Sequence, residues 1–312
     1  GFAAWQAKPA ARAEDVKGLL SGLEVFAVYG QADDLPRLLN AAQKNLGAQD
    51  PKWGAILMGG LSRHPELARI LIRELNDPLP EAFIGASILG LANRLTAQGT
   101  LAEHPLDNPA GLAQIGAWIT NPELSNISWR ISAVSSLAYM RKTPIEDWLS
   151  KAEGDDNLRL QMEAAWVRGK RGEKSGLEKL SAWAGDPRTS KVACAYLKEL
   201  GHADRIPEKT KKPDFLALAD FAHWLSQPGE FGGPPERIAQ VDQRSMNWPP
   251  AGGPRALRVF RYGYPGADGF GVVSGAQTFS MKSTEGPIQA RVEDVYALAC
   301  CHMLKQAGDL LV

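Results

Sequence analysis

The stretch 269-GFGVVS-274 comes nearest to a phosphate-binding loop. Glycines of that kind let a backbone approach a pyrophosphate. Ser274, however, stands where a dinucleotide fingerprint needs its third glycine, and no helix follows to aim its N-terminus at the anion. The stretch reads better as a hairpin relieved by glycine. Cys300, Cys301 and His302 are metal ligands by type. Consecutive on a helix, their side chains point about 100° apart and cannot converge on one ion, so core thiols are expected. His64, His104, His202 and His223 have no carboxylate or nucleophile at a suggestive spacing. Asp50 and Asp186 read as helix caps, and Asp155-Asp156 as a turn plus a cap opening a helix near Asn157. No GxSxG elbow, HExxH pair or Walker loop occurs. The expectation is a chain without catalytic residues, metal or cofactor.

Binding residues are better represented. Arg168, Lys170, Arg171 and Lys174 form a basic run at an inter-helix turn, and Arg205, Lys209, Lys211 and Lys212 form a second one further on. Stacked turns would align them into an edge suited to a phosphate backbone or an acidic protein. The plainer reading is solvated turns with positive charge near helix C-termini. Trp118, Lys151 and Trp183 recur at intervals of 33 and 32 residues. They would form an aromatic–basic–aromatic ladder in a groove, or else pack between neighbouring helices. A third candidate surface is a hairpin carrying Arg258, Arg261, Tyr262 and Tyr264.

Helix starts punctuate the segments that must position these residues. Asp50-Pro51, Asn108-Pro109, Asn121-Pro122, Thr143-Pro144 and Asp186-Pro187 each place a side-chain oxygen before a proline. The oxygen can accept the free N–H groups of a first helical turn, and proline loses nothing at the next position. Thr143 with Glu146, and Ser175 with Glu178, match the capping box. Self-similarity accompanies this punctuation. Leu112, Ile115, Trp118 and Ile119 are echoed by Ile145, Trp148, Lys151 and Ala152, and again by Leu177, Leu180, Trp183 and Ala184. Ile131, Met162 and Val192 are 31 and 30 apart, and Trp53, Ala55 and Met58 precede Ile84, Ala86 and Leu89 by 31. A period of about 20–50 residues built from short helices predicts stacked units sharing one core.

On these residues, and on segments such as 158-LRLQMEAAWVRGKRGEKSGLEKLSAWAGDP-187, the chain over about 50–205 resembles HEAT repeats. The resemblance implies a curved stack with its second helices on the concave side, an armadillo-type fold used mostly for scaffolding and binding. A minority of that family are lyases or DNA glycosylases. The insertion 97-AQGTLAEHPLDN-108 departs from the regular pattern.

From about Pro213 the pattern changes. The segment 214-DFLALADFAHWLSQ-227 is apolar on most faces, a Gly/Pro-rich loop follows, and 238–248, 256–264 and 270–281 read as strands. Asp268-Gly269 favours the turn between the last two, and Val292 to Ala307 reads as a helix covering the sheet. The stretches 224-WLSQPGEFGGPPERI-238, 259-VFRYGYP-265 and 294-DVYALACC-301 are similar to a module that follows HEAT-like repeats in some uncharacterised bacterial proteins.

Composition limits the partners. The 312 residues carry 35 Lys plus Arg against 35 Asp plus Glu, so no net field draws in polyanions. Three cysteines, two of them adjacent, make no disulfide framework and point to a reducing, cytoplasmic setting. The start at Gly1 suggests missing upstream residues and leaves a removed signal segment open. No apolar run nears the roughly 20 residues of a membrane span. The sequence therefore predicts a disordered lead-in over 1–15, a mostly α HEAT-like solenoid over 16–212 and a small α+β module over 213–312. Its expected role is a non-catalytic protein-binding scaffold for a protein or peptide partner. The alternative is a nucleic-acid-binding or glycosylase-type solenoid working through the basic edge.

Overall fold

The computed structural model describes residues 82–121, 127–227, 230–275, 277–284 and 288–307, with Val25, Tyr29 and Gly286. The lead-in over 1–15, the Asp50 cap, His64 and the alignment of Trp53, Ala55 and Met58 lie outside those residues. Among them are nine helices: α1 (Ala82–Ala97), α2 (Pro109–Thr120), α3 (Ile127–Ser136), α4 (Glu146–Glu153), α5 (Leu158–Lys170), α6 (Lys174–Ala184), α7 (Ser190–Glu199), α8 (Pro213–Leu225) and α9 (Val292–Ala307). Four strands lie between the last two: β1 (Arg237–Trp248), β2 (Gly253–Tyr264), β3 (Ala267–Ser274) and β4 (Gln277–Ser283).

The expected solenoid is not what these elements build. Contacts divide the chain into two units, 1–176 and 177–312, and the division falls inside α6, within the stretch expected to share one unbroken core. The four-stranded antiparallel sheet is also no small cap, since its strands make up 19% of the described residues. The reason is chemical. Consecutive buried residues of β2 and β3 fall on both faces of the strands and need cover on each, so the second unit organises around a sheet and not around stacked helix pairs.

In the first unit α3 lies against α1, α2, α4 and α5. Trp129, Ala133 and Val134 are its buried residues against these neighbours. Asn108 caps α2 as expected, its side chain accepting the Gly111 N–H at 2.9 Å with Pro109 in the first turn. The Thr143 capping box does not form, because α4 begins after Ile145, which offers no side-chain cap. Thr143 is bound elsewhere. The Asp107 carboxylate accepts the backbone N–H groups of Arg141 (2.7 Å), Lys142 (3.0 Å) and Thr143 (3.1 Å), and the Thr143 hydroxyl (2.9 Å). This latch ties the loop after α1 to the turn before α4. Asp186 also caps no helix. α7 starts four residues later, and the Asp186 carboxylate takes Arg188 instead.

His104 anchors the same loop. Its Nδ1 accepts the Leu106 N–H at 3.3 Å, which places the proton on Nε2, 3.0 Å from Asn93 Oδ1. Burial lowers its pKa from 6.5 to about 4, against the opposing pull of Asp107. The unfolded chain therefore binds a proton that the folded unit refuses. Stability is expected to fall as pH drops from about 6.5 towards 4, by on the order of 3 kcal/mol. Urea titrations of wild type and His104→Gln at pH 7 and pH 4.5 check this, and the Gln variant should show the smaller drop.

In the second unit the strands run in the order β1-β2-β3-β4, each antiparallel to the next. The expected third strand is in fact two, β3 and β4, broken at 275–276. The turn between β2 and β3 is Pro265-Gly266, with Gly266 at φ 72°, and Asp268-Gly269 lies within β3. Proline with its fixed φ followed by a left-handed glycine forms the tighter turn. Alternation places Leu257, Val259, Phe270, Val272 and Phe279 on the face covered by Val295, Tyr296, Ala299 and Met303 of α9. Phe260 and Tyr262 face the other way, against Phe221 and Leu225 of α8. The sheet thus has helices on both faces, not the single covering helix expected.

Candidate binding groove

The glycines of 269-GFGVVS-274 serve this packing. Gly269 and Gly271 sit opposite Tyr262 and Phe260 in the register. A Cβ on Gly269 would lie 2.3 Å from Tyr262 Cζ, and one on Gly271 would lie 1.9 Å from Phe221 Cζ. They are sockets for aromatic rings inside the sheet.

β1 is an edge strand with a register shift between Gln240 and Asp242 that leaves Val241 exposed. Beyond the bulge β1 is sealed to α9: Arg244 pairs with Asp242 at 2.6 Å and Glu293 at 3.0 Å, and Tyr296 donates to Asp242 at 3.1 Å. Before the bulge the strand end is open. There a groove of about 750 Å³ runs past Arg237, Ile238, Ala239 and Val241 of β1, Arg261 and Tyr264 of β2, and the chain at Thr284 and Gly286. Because β1 residues from both faces line it, the groove wraps the end of the strand.

Two arginines give it a sign. Arg237 pairs in register with Gly263 and Ala239 with Arg261, so both guanidinium groups leave one face as diagonal neighbours, roughly 7–8 Å apart at the backbone. Arg261 is held by Asp268 at 2.8 Å and lies 5.6 Å from the Phe270 ring centre. Arg237 lies along Gly263 and has no ion pair or side-chain hydrogen bond among the described residues. Burial pushes the Tyr262 hydroxyl up to about 12 and raises Tyr264 as well. Both stay neutral donors near neutral pH, Tyr262 to the Met281 carbonyl (3.3 Å) and Tyr264 to that of Gly233 (2.8 Å). The walls carry no histidine or cysteine among the described residues.

The four hairpin residues are therefore not one exposed set. Arg261, Tyr262 and Tyr264 line the groove, but Tyr262 is 1% exposed. Tyr264 stacks on Phe231 at 4.0 Å, and Arg258 turns towards Asp214 at 3.7 Å. Arg237 was not singled out in the sequence. It stands at the end of a Gly/Pro-rich loop, and only the pairing with β2 brings it beside Arg261.

The other sequence candidates are placed as follows. Trp118 packs on buried Trp129 with ring centres 4.6 Å apart, and the Lys151 ammonium lies 4.0 Å over Trp148. Trp183 belongs to the second unit, where its carbonyl accepts the Thr189 hydroxyl at 2.8 Å. Arg168 is engaged by Glu153 (2.9 Å), Glu173 (2.7 Å) and Glu146 (3.3 Å). These bonds, that to Glu153 foremost, hold its pKa above the ordinary arginine value. Lys170 lies 5.8 Å from the Trp166 ring, and Arg171 donates to the Met140 carbonyl at 2.8 Å. Lys174 and Lys212 are exposed, and Lys211 pairs with Glu208 at 2.6 Å. The expectation of core thiols is corrected for Cys301, which is exposed, whereas Cys300 is half-buried against the sheet core. Among the described residues no group of three His, Cys, Asp or Glu is placed to hold a metal ion, and no helix is long and apolar enough to cross a membrane.

No protein-family model, curated protein or solved structure matches the chain.

Proposed function

We propose that this is a non-catalytic protein-binding protein and that its second unit takes a peptide segment of the partner in the groove at the open end of β1. The observation that carries the reading is Arg237, a guanidinium without an ion pair or side-chain hydrogen bond among the described residues, set beside Arg261 in a groove with largely apolar walls. Apolar lining gives contact area, while a few placed charges fix orientation. With Arg261 already held by Asp268, it is the Arg237 guanidinium that selects an acidic residue or a terminal carboxylate.

Panning a random dodecapeptide library against the full chain tests this. Enriched peptides should be acidic, and Arg237→Ala should weaken them about tenfold, the equivalent of about 1.4 kcal/mol. The melting temperature should not move, since Arg237 makes no ion pair or side-chain hydrogen bond among the described residues. Peptides without acidic bias, or binding indifferent to Arg237, would overturn the reading.

A further inference from the structure

The first unit carries a second, separate pocket. It encloses about 480 Å³ between the end of α1, the loop through Leu101 and Glu103, the turn at Tyr139–Lys142 and the last turn of α5. That volume falls within the range of ligand pockets, about 300–1,000 Å³.

Its walls are fixed in advance. The Asp107 latch clamps one side to the other through four donors, Arg171 ties the turn at the Met140 carbonyl (2.8 Å), and His104 anchors the loop to Asn93 (3.0 Å). Such supporting bonds hold a site's first contacts in place before a ligand arrives. Arg141, Lys142 and Lys170 line the pocket, from the turn and from the end of α5. The two carboxylates that also line it are engaged: Glu103 pairs with Lys142 at 2.5 Å, and Asp107 is saturated by the latch. Arg141 contributes only its backbone N–H to the latch, and its guanidinium has no partner among the described residues.

We propose that this pocket binds a small phosphate monoester, with Arg141 as the principal phosphate contact and the positive charge of Lys170 beside it, Lys142 being paired with Glu103. An arginine fork takes paired oxygens of phosphate and carboxylate alike, but a monoester dianion puts two charges on one group and so gains more from the added positive charge of Lys170 than a single carboxylate does. The volume leaves room for a small body beyond the phosphate.

Isothermal titration of the full chain with glycerol 2-phosphate, inorganic phosphate and succinate tests it. Glycerol 2-phosphate should bind, inorganic phosphate more weakly, and succinate at least tenfold more weakly than the ester. Arg141→Ala should lower the affinity for the ester at least fivefold with an unchanged melting temperature, because the latch uses only the backbone there, and Arg141→Lys should restore part of it. No binding by either phosphate, succinate binding as tightly as the ester, or an Arg141→Ala chain that binds like wild type would each overturn the proposal. Peptide binding by the second unit is measured separately and is independent of the outcome.

Discussion

Asp107→Ala is expected to destabilise the first unit by about 3 kcal/mol, read as a shift in the urea midpoint. The carboxylate accepts from three successive backbone N–H groups and from the Thr143 hydroxyl. Hydrogen bonds to a charged acceptor contribute about 1.5–3 kcal/mol each when a buried partner is left unsatisfied. Arg141 and Lys142 are exposed enough for water to replace part of the loss. Thr143 is 8% exposed, and its N–H and hydroxyl would be left stranded. Asp107→Asn keeps the shape but presents one oxygen to four donors, so it should cost roughly half as much.

The pH response separates this carboxylate from its histidine neighbour. Burial raises the Asp107 pKa, but the N–H groups of Arg141, Lys142 and Thr143 and the Thr143 hydroxyl together outweigh it, and the net shift is downward from 3.8. Its stabilisation is therefore fully present above about pH 4 and is lost as pH falls through the lowered folded value. The His104 contribution has already gone by then, since its window runs from 6.5 down to about 4. Asp107→Ala should remove this carboxylate's own loss below pH 4 and leave the drop between pH 6.5 and 4.5 in place, with the His104 window reaching further into acid once the Asp107 charge is gone. A variant within 0.5 kcal/mol of wild type at pH 7 would mean that water fully replaces the latch, about the spread expected of an ordinary surface change.

Much of the second unit was legible because its signals are local. The apolar run of 214–227 became α8, the alternation in 238–248 and 256–264 became β1 and β2, and Val292 to Ala307 became α9 as bounded. The break at 275–276 was signalled by Ser274-Gly275 and was missed because Val272 and Val273 before it and Phe279 after it were read as one strand. The solenoid failed for a different reason. Helices of about a dozen residues joined by short turns return an apolar position every 30 or so residues whether or not they stack into one core. Trp118, Lys151 and Trp183 kept that spacing, yet Trp183 lies across the division in a different unit. Long-range pairings left no trace in the sequence at all. Asp107 lies 34 to 36 residues from the groups that it binds, inside the insertion that departs from the repeat pattern. Arg237 needed the β1–β2 register to meet Arg261, and Tyr262, chosen as a surface residue, is held inside by Phe221 and Gly269.

That aromatic packing makes the largest expected effect in the second unit, and it is testable as a coupling. Phe221 is 1% exposed and stacks on Phe260 with ring centres 4.9 Å apart, with the ring centres of Trp224 at 5.9 Å and of Tyr262, edge-on, at 5.8 Å. Phe221→Ala should cost about 3–5 kcal/mol, from lost transfer energy and a cavity between α8 and the sheet. Gly271→Ala alone should cost about 1–3 kcal/mol, because its methyl would sit 1.9 Å from Phe221 Cζ and the ring must move. In the Phe221→Ala background the same methyl enters empty space, and its cost should vanish or turn into a gain. The double variant would then be at least about 1.5 kcal/mol more stable than the sum of the two single losses. Urea unfolding followed by circular dichroism reads the four stabilities of the cycle. If Phe221→Ala leaves too little folded protein, Phe221→Leu supports the same cycle with a smaller coupling. Additivity within about 0.5 kcal/mol would show that Gly271 is not a socket for the Phe221 ring, and that the face of the sheet towards α8 is held by other contacts.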